Sequence, residues 1–331
     1  MTGQSVLTVE GLKSYYVSDY FGVSREVRAV DDVNFSVGKN EIYGLAGESS
    51  SGKTSLIKTV AGAIRPPMRV MGGTVHFNFS GEPFDVYAEP EKMKAIRWRH
   101  LSYIMQGSMN VLNPVRRVKH SFRDFAARHM PLAPRAFFRQ VEHHLERLHL
   151  DPAVLQSFPH QLSGGMRQRV TIALATVCEP EFIIADEPTT ALDVLVQQDV
   201  LALIKEVQAK IGSSIVFVTH DMSVHAAIAD RIGIVYAGRL VEDGRTTDVF
   251  DYPQHPYTAH LIASLPRIGD VKERRSLPGR PPNLSDPPAG CRFHPRCPLA
   301  IDRCKREVPP LLPHAGGGRV ACFRAGETTP S

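Results

Sequence analysis

The sequence lacks a long hydrophobic run. No stretch approaches the roughly 18 consecutive apolar residues that a membrane-spanning helix requires. The longest strictly apolar stretches, such as residues 215–218, have the length of a core strand. The first residues also lack the charged start and apolar centre of a signal peptide. We therefore expect the chain to be neither exported nor inserted into a membrane by its own signals, so that a membrane role would come through a partner.

Cysteine is scarce, with 5 among 331 residues. Cys178 falls within a helical pattern and is predicted to be a core thiol. The other four crowd the end of the chain, at Cys291, Cys297, Cys304 and Cys322. In a reducing compartment such a cluster favours metal binding over disulfide bonds. Four thiolates suffice for zinc or for an iron–sulfur cluster, and their unequal spacing does not fit paired C-x2-C zinc knuckles well.

The chain has only a small excess of positive charge: its net charge is +5 and its isoelectric point is near 9.0. A mildly basic surface explains it, and contact with a polyanionic nucleotide or an anionic membrane face would also fit. The charge alone neither chooses between these interpretations nor excludes nucleic acid. The hydrophobic fraction of 43% and the charged fraction of 22% are those of an ordinary globular protein.

Apolar periodicity predicts an α/β fold. Residues 27–37 carry apolar side chains on one parity, with Asp31 the exception, and predict an antiparallel strand pair with one buried face. A helix of about residues 193–211 lies between two apolar strands, which indicates a parallel sheet covered on both faces. Short apolar or alternating runs predict strands at residues 41–46, 74–79, 182–185, 214–218 and 232–236.

Two regions depart from the sheet pattern. Between about residues 115 and 178, histidine, arginine, leucine and phenylalanine recur at helical spacing and predict a helical insertion. After about residue 250 prolines recur, which predicts a linker or arm rather than more sheet. No internal repeat is visible.

Residues 47–54 fit the phosphate-loop pattern G-x4-G-K-[ST]. Small residues let backbone N–H groups wrap phosphates, and the following helix adds about half a positive charge at its N-terminus. Lys53 would supply a full charge to the β- and γ-phosphates, and the Thr54 hydroxyl would ligate Mg2+. A chance match is expected in about one chain in a hundred. The predicted nucleotide contacts here are Gly47, Ser49, Ser51, Gly52, Lys53, Thr54 and Ser55.

An acidic pair follows the apolar run at residues 182–185. Asp186 would hold Mg2+ directly or through water. Glu187 would polarise the attacking water and so act as a general base. General-base catalysis of this kind raises the reaction rate by about 10^2–10^4. An acidic strand end is ordinary by itself, and the phosphate loop upstream is what favours a catalytic role.

A second anion-binding pattern lies at residues 162–169, which read Leu-Ser-Gly-Gly-Met-Arg-Gln-Arg. Ser163 and the exposed amides of Gly164 and Gly165 would form an anion site at a helix N-terminus. A simple N-capped helix fits the local sequence equally well. Together with the phosphate loop, this pattern would give one chain two sites for the γ-phosphate of a single ATP. The local sequence does not explain why both are present.

Taken in order, these motifs resemble those of the ABC ATPases, and residues 162–169 resemble the ABC signature sequence. In that family the signature of one subunit covers the ATP held by another. The resemblance implies that Gln106 ends a strand as the Q-loop glutamine that senses Mg2+, joining Thr54 and Asp186 as magnesium ligands. It implies that His220 lies near the γ-phosphate and that Tyr16 stacks on adenine. Residues 191–193 resemble the D-loop, in which Asp193 would reach across the dimer. The implied contacts to the partner's nucleotide are therefore Ser163, Gly164, Gly165, Gln168 and Asp193.

The tail resembles the C-terminal extension of oligopeptide/dipeptide importer ATPases. The resemblance rests on residues 255–258 and on the cysteine pattern from Cys291 to Cys322. Some members of that family hold a [4Fe-4S] cluster there, so the resemblance implies such a cluster in a structural role, with zinc or free thiols as alternatives. Two departures stand out: Ser50 replaces a glycine that is usual in the family, and residues 107–114 lack the usual acidic start after the Q-loop glutamine.

The resemblance implies the ATP-hydrolysing subunit of an importer, most readily for dipeptides or oligopeptides, peripheral on the cytoplasmic face of the inner membrane. Implied partners are two permease subunits, an extracytoplasmic binding protein and a homologous second ATPase, with a heterodimer favoured over a homodimer. An importer of oligosaccharide or nickel stays open. A soluble ABC-type ATPase acting on nucleic acid is the alternative of another class, although the chain carries one cassette and no aromatic-rich basic patch.

The resulting domain prediction has two parts. An ABC ATPase domain is expected at residues 1–250, with a mixed-sheet core, an antiparallel β subdomain and a helical subdomain inserted at about 107–178. A Pro-rich, cysteine-containing extension is expected at residues 251–331. A degenerate, non-hydrolysing ATPase is disfavoured because the key side chains are intact, namely Lys53, Ser163, Asp186, Glu187 and His220.

Overall fold

The structure is a computed structural model that describes residues 5–20, 22–79, 81–105, 107, 111–190, 192–265, 277–314 and 317–327. The predicted Q-loop residue Gln106 and the D-loop residue Ala191 lie outside the described residues. Within the described residues, no helix has both the length and the apolar character needed to cross a membrane.

The alternating N-terminal segments build an antiparallel sheet. Its strands are ordered β2–β1–β4–β5, and they are β1 (Ser5–Tyr20), β2 (Val23–Gly38), β4 (Met68–Phe79) and β5 (Glu82–Asp85). The prediction of an antiparallel pair with one buried face is confirmed, since Ala29, Val33, Phe35 and Val37 are buried. The exception, Asp31, is buried as well.

The apolar runs form a second, mixed sheet ordered β11–β12–β10–β9–β3–β8–β7–β6. The five strands β9, β3, β8, β7 and β6 are parallel, and β10, β12 and β11 add antiparallel pairs. The strands are β3 (Ile42–Ala46), β6 (Leu101–Ile104), β7 (Phe182–Asp186), β8 (Ser214–Val218), β9 (Arg231–Tyr236), β10 (Arg239–Arg245), β11 (Leu312–Pro313) and β12 (Arg319–Val320).

Helices cover the second sheet and connect its strands. The predicted insertion contains three of them, α3, α4 and α5, together with two 3-10 turns at Pro152–Gln156 and Pro159–Gln161. The helices are α1 (Lys53–Val60), α2 (Pro90–Ile96), α3 (Val118–Phe125), α4 (Pro134–Arg147), α5 (Gly164–Thr176), α6 (Val194–Ile211), α7 (Met222–Ile228), α8 (Thr246–Asp251), α9 (Pro256–Ala263) and α10 (Asp302–Arg306).

The parallel strands are buried on both faces, as their unbroken apolar sequence predicts. On one face Ile183 and Phe217 pack into a cluster with α3 to α7. On the other, Phe182 and Val216 pack with α1 and the antiparallel sheet. The ring of Phe182 meets Phe77 edge-on at 5.2 Å, which joins the two sheets. The α/β fold predicted from the sequence, with a mixed sheet, an antiparallel sheet and helices, is confirmed.

The prediction that no sheet follows residue 250 is wrong. Arg319 and Val320 pair with Asp243 and Glu242 of β10, and β11 pairs with β12 in turn. These strands are two residues long, too short to show any alternation in the sequence. The C-terminal segment therefore completes the edge of the main sheet.

Asp31 shows how the extension is attached to the antiparallel sheet. It accepts hydrogen bonds from Tyr15 at 2.6 Å, from Arg239 at 3.0 Å and from Arg292 at 2.5 Å. Burial alone would raise the pKa of the Asp31 carboxyl. The hydrogen bond from Tyr15 and the charges of both arginines lower it by more, so the net pKa lies below its ordinary value. A buried carboxylate thus interrupts the apolar parity because two arginines pair with it.

Removing the ring that joins the sheets should destabilise the protein. We expect Phe182→Ala to lower the free energy of unfolding by about 3–5 kcal/mol, since Phe182 is fully buried and its loss leaves a cavity. Tyr252→Ala is the matched control, because Tyr252 is 72% exposed. Chemical denaturation followed by circular dichroism measures both, and equal losses in the two variants would contradict the assignment.

Candidate nucleotide-binding site

The phosphate loop connects β3 to α1 in a conformation that small residues permit. A Cβ on Gly47 would lie 2.2 Å from the Val235 carbonyl oxygen, and one on Gly52 would lie 2.1 Å from that of Ala29. Both residues have positive φ, as does Ser50 at 64°. The serine that replaces a family glycine therefore adopts a left-handed conformation that side chains disfavour.

Lys53 begins α1 and points back into the loop. Its Nζ donates to the carbonyl oxygens of Gly47 and Glu48 at 2.7 and 2.9 Å. Burial lowers the pKa of Lys53 to about 8, although the negative charges of Glu187, Asp186 and Glu48 oppose that shift. A buried ammonium beside a helix N-terminus is a place where an anionic phosphate is strongly favoured.

Asp186 ends β7 with one carboxylate oxygen satisfied and the other not. Oδ2 accepts a hydrogen bond from the Tyr103 hydroxyl at 3.2 Å, whereas Oδ1 is buried with no partner among the described residues. Burial raises the pKa of the Asp186 carboxyl. An orphaned, buried carboxylate oxygen fits a Mg2+ ligand, because oxygen is the ligand type that this cation prefers.

Glu187 and His220, the predicted catalytic pair, lie together. Glu187 Oε1 is 3.1 Å from His220 Nδ1, and Glu187 Oε2 accepts from the Thr190 hydroxyl at 2.8 Å. Burial raises the pKa of Glu187, but the bonds from His220 and Thr190 outweigh it, so the net pKa lies below its ordinary value. The carboxylate is thus ionised near neutral pH, the form that a general base requires.

The adenine-side prediction concerns Tyr16. Its hydroxyl lies 3.1 Å from the Ser55 hydroxyl on α1, and the ring is half-buried. The hydroxyl of the neighbouring Tyr15 donates to Asp31 instead. The structure therefore places Tyr16 beside the phosphate-loop helix, and its contact with adenine stays a prediction.

The signature residues form a surface apart from the phosphate loop. Ser163 caps α5 by accepting from the Met166 N–H at 3.2 Å, and Asp193 caps α6 by accepting from Val196 at 3.0 Å. They share a surface cavity of about 450 Å³ with Gly164 and Gly165, and none of the described residues lining it belongs to the phosphate loop.

Gln168 behaves differently from the other predicted trans contacts. It is 2% exposed, and its side-chain amide donates to the carbonyl oxygen of Pro188, next to Glu187. Gln168 therefore points from α5 into the fold, toward the segment that follows β7. Direct contact with a partner's nucleotide stays a prediction for Gln168, as for the whole trans set.

The four C-terminal cysteines line one small enclosed cavity together with Phe293 and His294. Burial raises the pKa of the Cys291 and Cys322 thiols to about 11. Within the described ranges, no group of three or more histidine, cysteine or acidic side chains is arranged to hold a metal ion. Cys178 lies just beyond α5 and packs on the core, with burial raising its thiol pKa to about 11.

Sequence reasoning missed three residues that support the site. Tyr103 orients Asp186, Thr190 orients Glu187, and Glu48 accepts a lysine bond through its carbonyl. Glu48 lies at one of the unspecified positions of the phosphate-loop pattern, and Thr190 lies between the acidic pair and the D-loop, so no pattern marks either residue. Tyr103 alone could have been identified from the sequence, because its hydroxyl group stands out within a largely apolar strand.

Comparison with known proteins places the chain in a family. Residues 30–190 match "ABC transporter" and residues 241–304 match "Oligopeptide/dipeptide transporter, C-terminal region". The chain is 37% identical over 330 residues to the dipeptide transport ATP-binding protein DppD of Caldanaerobacter subterraneus subsp. tengcongensis, covering 98% of both. It is 38% identical over 306 residues to the oligopeptide transport ATP-binding protein OppD of Salmonella typhimurium, covering 91% and 90%.

Solved structures share the fold. The bacterial ABC transporter cassette MJ0796, solved as a dimer, superposes with a TM-score of 0.61 at 22% identity, covering 72% of this chain and 98% of that one. CbiO1 from Clostridium perfringens superposes with a TM-score of 0.60 at 24% identity, covering 75% and 91%. The described part of the chain thus has the fold of ABC ATPase cassettes.

The sheet, the phosphate loop and the acidic pair at a strand end define an ATP-hydrolysing P-loop protein. The full-length relatives narrow this class. The chain belongs to the ABC transporter family, as an ATP-binding subunit whose ATPase activity is coupled to transport.

Nucleotide affinity should fall in alkaline solution. Lys53 loses its proton near pH 8 in the free chain, whereas bound phosphates favour the charged form, so the association constant for MgATP should fall by up to about tenfold per pH unit above 8. Equilibrium titration of the purified chain measures this. Lys53→Arg is the control, since its guanidinium stays charged, and an equal decline in that variant would contradict the role of Lys53.

Proposed function

We propose that this ATPase powers an importer of dipeptides or oligopeptides. The observation that carries the proposal is the match of residues 241–304 to the C-terminal region of oligopeptide/dipeptide transporters. The near full-length relatives support it, since they are named for dipeptide and oligopeptide transport. No comparable observation favours oligosaccharide, nickel or nucleic acid.

In the proposed site, Lys53 and the amides of the phosphate loop bind the β- and γ-phosphates. Thr54 and Asp186 would hold Mg2+, with Gln106 as a further ligand, and the ion would supply positive charge to the phosphoryl oxygens. Glu187 accepts a proton from the attacking water. His220, beside Glu187, orients that carboxylate and contacts the γ-phosphate. Support comes from the orphaned Asp186 oxygen and from the pairing of Glu187 with His220.

The second half of the proposed site is supplied by another ATPase subunit. Ser163, Gly164, Gly165 and Asp193 share a surface cavity without the phosphate loop, so one chain offers its signature to a neighbour's nucleotide. Bound ATP would then join two subunits by charge-assisted hydrogen bonds. We propose a heterodimer with a homologous ATPase, as the family resemblance implies.

The proposed assembly contains two permease subunits and an extracytoplasmic substrate-binding protein. The ATPase would lie on the cytoplasmic face of the inner membrane and be held there by the permeases. Closure of the ATPase dimer would drive the permeases, and hydrolysis would reopen it. The names of the relatives, which describe transport rather than nucleic-acid processing, support this arrangement.

The test uses the assembled transporter in vesicles, with its binding protein loaded with dipeptide, oligosaccharide or nickel. Peptide should stimulate hydrolysis. Glu187→Gln should reduce turnover by about 10^2–10^4 while MgATP still binds and the closed dimer accumulates. Glu179→Gln is the matched control, because that carboxylate pairs with Arg147 on the surface. Undiminished hydrolysis would exclude Glu187 as the base, and stimulation by sugar or nickel alone would exclude peptides.

We also propose that the four C-terminal cysteines hold an iron–sulfur cluster in a structural role. Their donor chemistry fits, since four thiols line one cavity. Burial raises the pKa of the Cys291, Cys297 and Cys322 thiols in the free state, so a bound cation would stabilise the thiolates and displace protons. The side chains would have to converge further, because they form no metal-binding group in the described residues.

Reconstitution tests this proposal. Iron and sulfide added anaerobically to the full chain should produce a visible absorption band, which Cys297→Ser should abolish. Cys178→Ser is the control and should retain the band, because Cys178 lies on the core beside α5. Colourless binding of one zinc ion would replace the cluster by a zinc site, and binding of neither metal would overturn the proposal.

A further inference from the structure

Glu48, the second residue of the phosphate loop, is held by the C-terminal extension. Arg296 closes the 3-10 turn His294–Arg296. Its Nη1 and Nη2 donate to the two carboxylate oxygens of Glu48 at 2.9 and 3.0 Å. A two-pronged pair of this kind fixes the orientation of both groups as well as matching their charges.

The guanidinium of Arg296 is fixed on its other sides. Its side chain is 6% exposed, and Nε donates to the carbonyl oxygen of Pro278 at 3.0 Å. Nη1 also lies 3.3 Å from the Tyr236 hydroxyl, and the guanidinium stands 5.8 Å from the centre of that ring. The extension and β9 therefore determine where Arg296 is, and Glu48 is fixed by it.

The backbone of Glu48 is held from the same direction. Its N–H donates to the Tyr257 hydroxyl at 2.8 Å, and Tyr257 is fully buried against Tyr236 and Phe293. The carbonyl oxygen of Glu48 accepts from Lys53 Nζ at 2.9 Å. One residue thus connects the extension to the lysine that the nucleotide site depends on.

We propose that Arg296 is a positioning residue for ATP binding, acting through Glu48 on the phosphate loop and on Lys53. The inference rests on the proposed nucleotide site and extends it. Glu48 and Lys53 lie in the part of the chain that matches ABC transporters, whereas Tyr257 and Arg296 lie in the part that matches the transporter C-terminal region. The extension is therefore a component of the nucleotide site as well as an appendage.

A purely stabilising ion pair would produce a different pattern. Arg319 pairs with the buried Asp243 and attaches the extension to β10 without touching the phosphate loop. Asp243 keeps a second partner, Arg231 at 2.9 Å, when Arg319 is replaced. Arg319→Met is thus a matched control that weakens the attachment of the extension and leaves Glu48 untouched.

The experiment measures the dissociation constant for MgATP on the full chain. Arg296→Met and Glu48→Gln should each raise it by roughly tenfold, within what a small misplacement of a binding group costs. The double variant should be no worse than the weaker-binding single variant, since both remove one interaction. Arg296→Lys should show a smaller rise, because lysine keeps the charge but lacks the fork. Arg319→Met should bind within twofold of the unchanged chain.

Melting temperature, recorded for every variant, separates positioning from stability. If Arg296→Met fails to fold, Arg296→Lys and Glu48→Gln carry the test. Affinity within twofold of the unchanged chain in the folded Arg296 and Glu48 variants would overturn the inference, whatever their melting temperatures. Lack of MgATP binding by the unchanged chain, or binding unaffected by Lys53→Ala, would overturn the nucleotide site itself.

Discussion

Burying the ammonium of Lys53 is the constraint on which the nucleotide site depends. Lys53 is 6% exposed, its positive charge is unfavourable there, and loop carbonyls, the Ser51 hydroxyl and nearby carboxylates compensate it. Asp186 shows the opposite case, an acidic group with one buried oxygen that nothing among the described residues satisfies. The free chain thus carries buried, incompletely neutralised charge of both signs within one site. In the proposed site a nucleotide with its magnesium ion would neutralise both groups, so the folded protein would already set much of the binding free energy.

Ion pairs, rather than apolar area alone, join the extension to the rest of the chain. Arg292 meets Asp31 of the antiparallel sheet, Arg296 meets Glu48, and Arg319 meets Asp243. Arg292, Arg296 and Asp243 are mostly buried, which makes each pair intolerant of losing one partner. These ion pairs therefore fix the position of the extension more than they add to the free energy of unfolding. Each arginine requires its carboxylate at one place, and the extension has one register on the sheet.

The sequence could reveal what repeats or follows a fixed pattern. Alternation in residues 27–37 and the unbroken run at 214–218 predicted a half-buried strand and a doubly covered one, and both were found. The motif residues Lys53, Asp186 and Glu187 lie together because they stand at the carboxyl ends of parallel strands of one sheet, β3 and β7. Long-range pairs leave no such trace. Nothing in the local sequence relates Arg296 to Glu48, which lies 248 residues earlier, and a two-residue strand such as Arg319–Val320 carries no period.

The late strand β12 has a consequence for biosynthesis. Arg319 meets Asp243, which lies 76 positions earlier in the sequence, so the edge of the main sheet at β10 stays open until residue 319 has left the ribosome. An uncovered strand edge is a template for pairing with other chains. During synthesis β10 would be such an edge, with its charged residues Glu242 and Asp243 discouraging wrong partners. A nascent chain released after residue 296 but before residue 319 would therefore contain the residues of the nucleotide site together with a sheet edge that is exposed to aggregation.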